Sequence, residues 1–215
     1  MSNKVILGAF IGLLVLVLGC KKVETETDTG VMYFPLQIGT VNLFSVDSIV
    51  YNSLTNRKDS IRSYFKEVVV QETLDSHGFK LFKTDVYVSS DTSKSWRNSG
   101  YFYYKSNAYL VNRVFQNSTT TILVFPVTKN RKWDMNLYNQ SDPLLVSYSS
   151  IKFAHETYTD CIEVFINEDI NPIEESINKS IYARDKGLIY KISSNLKLDN
   201  LKKNGVKVIT KRLNK

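Results

Sequence analysis

The chain has 215 residues, a mass of 24.7 kDa and a formal charge of +7. Hydrophobic residues make up 43% and charged residues 23%, which excludes a disordered chain, and with only 9 Gly and 4 Pro it is not collagen-like. Two cysteines exclude a disulfide-stapled scaffold, and aromatic residues are plentiful, with 13 Tyr and 11 Phe.

Lys4 gives a short positive start to Val5–Leu18, a run that is apolar apart from Gly8 and Gly12. That is the length of a signal-peptide core and falls short of the roughly 20 residues a spanning helix needs. The run ends in Gly19-Cys20. A small residue directly before a cysteine, after Val17-Leu18, resembles the lipobox of bacterial lipoproteins. The resemblance implies that residues 1–19 are removed and that the Cys20 thiol is lipidated. It also implies attachment to the bacterial outer membrane, on its periplasmic or its outward face. A single acyl chain binds a bilayer only marginally, so the three chains of that family make the attachment permanent. The membrane, reached through Cys20, is the only partner the residues name. No nucleic-acid recognition motif occurs, and none is expected in that compartment.

Residues 20–30 form the lipidated cysteine and a polar linker, Lys21 to Gly30, with no hydrophobic period. The body, residues 31–215, starts near Tyr33-Phe34-Pro35-Leu36, with a turn at Gly39. Alternation then dominates over helical spacing. Ile61–Gln71 and Phe79–Ser89 read as a hairpin around the turn Asp75-Ser76-His77-Gly78. Trp96–Tyr104, Ala108–Phe115 and Thr119–Phe125 continue as an antiparallel meander. Lys129–Pro143 reads as a loop pinned by Trp133 and Tyr138. Strands resume at Leu145–Phe153 and Cys161–Ile166. A second hairpin joins Ser180–Arg184 to Leu188–Ile192 through Asp185-Lys186-Gly187, with Gly187 in the left-handed position. Val206–Leu213 is the last strand, and only Ile173–Asn178 and Leu196–Lys203 have helical character. The expected fold class is all-β: one strongly curved antiparallel sheet or open half-barrel of about ten or eleven strands, because a sheet that long curls.

Charge is unevenly placed. Leu201–Lys215 carries Lys202, Lys203, Lys207, Lys211, Arg212 and Lys215 with no acid, and reads as an edge strand guarded by lysines. Glu156–Glu175 carries Glu156, Asp160, Glu163, Glu168, Asp169, Glu174 and Glu175 with no base, and reads as a solvated stretch. Its Asn167–Pro172 loop lacks EF-hand spacing.

Motifs for chemistry are absent. His77 and His155 are the only histidines, and there is no Gly-x-Ser-x-Gly elbow, His-x-x-x-His, Cys-x-x-Cys or phosphate-binding glycine loop. No catalytic residue, metal or cofactor is therefore expected, and Cys161 reads as a small buried filler. Ligand-binding candidates are aromatic: Tyr101 and Tyr103 on one strand face, with Trp96 near in sequence, as a platform for sugar or an apolar ligand. Acids such as Glu163 or Glu168 could serve a polysaccharide hydrolase only if two of them met in an open cleft.

Three stretches together resemble a family of uncharacterised lipoproteins of the Bacteroidota. They are Tyr33-Phe34-Pro35-Leu36-Gln37-Ile38-Gly39 with Val46–Tyr51, Leu123–Val127 with Lys132–Asn139, and Ile181–Lys191. The chain departs from the family pattern near Val41-Asn42-Leu43, where a Trp is usual, and at Met135-Asn136, where Gly-Asn is usual. The resemblance implies an envelope location and no established activity. Its last hairpin is also similar to that of half-barrel envelope proteins related to lipoprotein carriers. The expectation is thus a non-enzymatic, lipid-anchored binding or structural module, with carriage of a lipid or another apolar molecule as the alternative.

Overall fold

The computed structural model describes residues 28–199 and 202–213. The leader and Cys20 lie outside the described residues. After a single 3-10 turn at Val31–Tyr33 the chain is strand throughout: β1 (Val41–Asn52), β2 (Arg57–Leu74), β3 (Lys80–Ser89), β4 (Arg97–Ser106), β5 (Leu110–Phe115), β6 (Ser118–Val124), β7 (Lys132–Asp134), β8 (Leu145–His155), β9 (Tyr158–Asn171), β10 (Glu174–Ala183), β11 (Gly187–Asp199) and β12 (Lys202–Arg212). No helix among the described residues is long and apolar enough to cross a membrane.

All twelve strands form one antiparallel sheet, in the order β6-β5-β4-β3-β2-β1-β12-β11-β10-β9-β8-β7. Strands consecutive in sequence pair with each other except β6 and β7, and β1 also pairs with β12, Phe44 opposite Arg212 and Tyr51 opposite Gly205. The sheet curls until its two edges, β6 and β7, face each other, giving a nearly closed barrel. No ladder joins those edges. Instead the Thr121 N–H donates to the Met135 carbonyl (3.0 Å), and the Trp133 Nε1–H donates to the Thr121 carbonyl (3.0 Å). Asn139 accepts from the Thr119 N–H and donates to the Thr119 carbonyl, both at 2.8 Å. The Tyr148 hydroxyl donates to the Val124 carbonyl (2.7 Å) and accepts from the Val124 N–H (3.2 Å).

Alternation along each strand decides what faces the lumen. On β4, Phe102 and Tyr104 are buried inside while Tyr101 is 53% exposed outside. The main core joins Phe102, Val111, Leu123, Trp133, Tyr148 and Ile162 near the seam. A smaller cluster, Cys161, Ile181, Ala183 and Ile189, packs with Phe153, Tyr158 and Tyr190.

One end of the barrel is floored by the segment before β1. Tyr33 is buried and donates its hydroxyl to Asp160, and Arg184 clamps Asp160 (2.8 Å) and Asp28. The Thr29 carbonyl accepts from the Val127 N–H, and the Met32 carbonyl accepts from the Asp185 N–H. Asp28, Thr29 and Gly30, placed at the end of the expected linker, are therefore tied to the body. Phe34 sets its ring edge-on to Tyr104, centroids 4.9 Å apart.

Four sequence expectations change. The stretch 129–143 is a loop interrupted by β7, with Trp133 buried as expected but Tyr138 54% exposed. Of the two stretches read as weakly helical, Ile173 is a turn residue and the other described residues are strand, because Glu174 pairs with Lys197 and Leu198 with Lys203, and cross-strand pairing overrides weak local propensity. The strand count is twelve rather than ten or eleven, since β7 and the whole of β1 add to the runs read as strands. The basic tail is not an edge: β12 lies between β1 and β11, and its lysines meet the acidic stretch. Lys207 and Lys203 reach Glu175 at 2.8 and 3.4 Å, and Lys211 reaches Glu156 at 3.2 Å.

Candidate functional site

Above the floor the lumen is not filled. A partly open cavity of about 350 Å³ lies between Phe34-Pro35-Leu36 and the barrel walls. Phe44 and Phe65, stacked with centroids 4.7 Å apart, line one side. Ile122, Met135, Val164 and Ile166 line the other. These positions follow from the pleat: Phe65, Glu67 and Val69 share the inward face of β2, and Val164 and Ile166 share that of β9.

Set into this apolar wall are charged groups from three strands and one turn. Glu67 comes from β2, Arg113 from β5, Lys191 from β11, and Lys186 from the β10–β11 turn. Arg212 stands behind the wall on β12, opposite Phe44. Lys191 reaches the lumen because the β10–β11 register shifts between Ile181 and Tyr182, so that both Leu188 and Lys191 line the cavity.

Each charge has a distinct environment. Burial raises the Glu67 carboxyl pKa, and the Arg113 charge, the Tyr104 hydroxyl (3.4 Å), the Asn42 amide and the Arg212 charge oppose it. Arg212 is well satisfied, donating to the Asn42 Oδ1 (2.8 Å) and to the carbonyls of Lys186 and Leu188. Burial also lowers its pKa. Lys191 is exposed and also lines the cavity. Protein on most sides pushes its pKa down, and the like charge of Arg113 adds to this. Arg113 rests its guanidinium 4.2 Å from the centre of the Phe102 ring. Burial drives the hydroxyls of Tyr104 and Tyr182 well above their ordinary pKa, so both are neutral hydrogen-bonding groups. The arrangement can hold a small molecule and grip a polar end. Among the described residues Glu67 is the only carboxylate lining it.

The aromatic candidates lie elsewhere. Tyr101 and Tyr103 are neighbours on the outer face, centroids 5.8 Å apart and edge-on, with the Lys83 amine 4.8 Å over the Tyr101 ring. Trp96 belongs to a separate stack, where the Lys66 amine lies 4.8 Å from Trp96 and 4.9 Å from Tyr87. The lysines occupy ring faces that a sugar platform would need. Glu163 accepts from the Ser149 hydroxyl (2.6 Å) and faces Lys179 at 3.6 Å, and Glu168 faces the same amine at 3.7 Å. Both are committed to that amine and neither lines the cavity. Cys161 is fully buried, its thiol pKa raised by that burial. His77 sits in the exposed β2–β3 turn, and His155 packs its ring on Tyr190, centroids 5.3 Å apart. Among the described residues no group of three or more His, Cys, Asp or Glu could hold a metal.

The inward charges were missed in the sequence, although one left a trace. Phe65-Lys66-Glu67-Val68-Val69 puts a carboxylate between two apolar residues of the same face. Nothing comparable marks Lys191, whose direction depends on the bulge.

Comparison with protein-family models, with curated proteins and with solved structures gave no match.

Proposed function

We propose that this protein is a lipid-anchored, non-enzymatic binding module of the cell envelope that carries a small, largely apolar molecule in its barrel. One observation carries the reading: a partly open cavity of about 350 Å³, lined by aromatic and aliphatic side chains with a few converging polar groups. Sites for small molecules have this build and begin at roughly 300 Å³. The Gly19-Cys20 leader supports the anchor and the envelope location. The absence of any motif for catalysis in the sequence favours carriage over chemistry.

The test is uptake of Nile red, a neutral apolar dye, by the full chain, beside a Val164→Trp variant that fills the cavity. Both proteins are kept in the same detergent, so micelle uptake cancels. Saturable fluorescence in the wild type and its loss in the filled, still folded variant are expected. Equal signals from the two proteins would refute carriage. The anchor is tested separately. Cys20→Ala should leave the outer-membrane fraction and lose its lipid mass, and unchanged partition would refute it.

A further inference from the structure

The cavity wall carries an unbalanced charge. Arg113, Lys186 and Lys191 line it against the single acid Glu67, an excess of two positive charges when Glu67 is ionised. The imbalance is only partly offset. Among the described residues the Lys191 side chain makes no hydrogen bond or ion pair, and Arg113 has the Phe102 ring and the through-space charge of Glu67. Glu67 is bonded to the Tyr104 hydroxyl and the Asn42 amide and forms no ion pair with either base. All three bases are exposed as well as lining the cavity, so their charge is available to an anionic group there.

Resting on the carriage reading above, we propose that the occupant is an amphiphile with an anionic head, which Lys191 and Arg113 hold while its tail lies against Phe44, Phe65 and Ile166. The two cations lie on β11 and β5, strands on either side of the lumen, close enough that the Arg113 charge is felt at Lys191, and the anionic head is placed between them. Its head replaces their repulsion with two charge-assisted hydrogen bonds. Arg113 offers a planar fork suited to a carboxylate or phosphate, and Lys191 offers a point charge. Volume limits the tail. At about 30 Å³ per water-sized group, the cavity of about 350 Å³ admits roughly a dozen heavy atoms, the size of a ten-carbon carboxylate. The lowered pKa of Lys191 agrees with this geometry, since a bound anion would favour its charged form.

The experiment titrates decanoate and decanol, which share a tail, into the full-length protein and reads displacement of Nile red. Decanoate should bind about 10- to 100-fold more tightly than decanol, as charge-assisted bonds imply. Lys191→Met and Arg113→Met should each weaken decanoate at least about tenfold and leave decanol within about threefold. Decanol binding retained in these variants shows that the barrel is intact. Glu67→Gln, which removes the competing acid, should tighten decanoate. Decanol equal to decanoate, or decanoate unaffected by either methionine variant, would overturn the anionic head while Nile red uptake still upheld carriage. Loss of Nile red uptake itself would remove both.

Discussion

The barrel closes without a ladder between β6 and β7, so a single hydroxyl should matter disproportionately. Tyr148 is wholly buried, and its hydroxyl both donates to the Val124 carbonyl (2.7 Å) and accepts from the Val124 N–H (3.2 Å). Tyr148→Phe keeps the ring, including its packing on Trp133 with centroids 4.8 Å apart, and removes only the oxygen. Two hydrogen bonds worth about 1 kcal/mol each are lost, and two backbone groups of the buried Val124 are left unpaired. The sum is a loss of about 2–4 kcal/mol, a drop in Tm of roughly 4–16 °C for a body of this size. Guanidinium unfolding measures the loss, and amide exchange localises it: β6 should lose protection before β1 or β12. A change below about 0.5 kcal/mol, with exchange in β6 unaltered, would refute the claim that side chains hold the seam.

Glu67→Gln should reverse a pH dependence. Burial raises the folded pKa of Glu67 above its unfolded value, against the pull of Arg113, Tyr104, Asn42 and Arg212, so its stabilising effect is complete below about pH 4 and fades as pH rises through the folded value. Denaturation of both proteins from pH 4 to 8 should show the variant gaining on the wild type towards the alkaline end. Asp160→Asn should behave oppositely. Burial works against ionised Asp160, but the Tyr33 hydroxyl and Arg184 outweigh it and lower its pKa, so its contribution is present above about pH 4 and lost on acidification. The half-exposed site makes the cost about 1–2 kcal/mol at pH 7, and proteolysis should then attack the segment before β1 first. Gly205→Ala should destabilise by more than about 2 kcal/mol in a thermal melt, because Gly205 has φ 133° and a Cβ there would lie 2.1 Å from the Asn195 carbonyl oxygen of β11.

Much of the fold was legible because the pleat writes itself into sequence. The β2–β3 and β10–β11 hairpins announced themselves by alternation around Gly78 and Gly187, both of which adopt φ 77°. Tyr33-Phe34-Pro35-Leu36 marked the start of the body, although not that Phe34 to Leu36 would floor a cavity. What failed was long-range. Lys-rich β12 looks like an edge from its own residues, and only its pairing with both β1 and β11 makes it central. Ile173 and Ile177 suit a helical face as well as a strand, and the partner strands decide. The aromatic candidates Tyr101 and Tyr103 do share the outer strand face, where Lys83 lies over the Tyr101 ring. The lumenal charges were hidden because inward and outward residues can be told apart only once the register and its bulges are known.

Barrel size links the fold to the site. About eight strands make a barrel just wide enough for side chains to fill or for one small ligand, and wider barrels leave a lumen. Twelve strands, even with an imperfect seam, enclose more space than inward side chains can occupy. The segment Tyr33–Leu36 takes up part of the excess from one end, anchored by Asp160 and Arg184, and the core around Phe102, Leu123 and Tyr148 takes up more beside the seam. The remainder is the cavity. An unfilled apolar hole loses dispersion contacts, and Lys191 beside it is partly desolvated. Leucine at Lys191 would relieve both penalties in the empty protein. Keeping charge there makes physical sense if the lumen is occupied by something that supplies the missing contacts and the missing negative charge together.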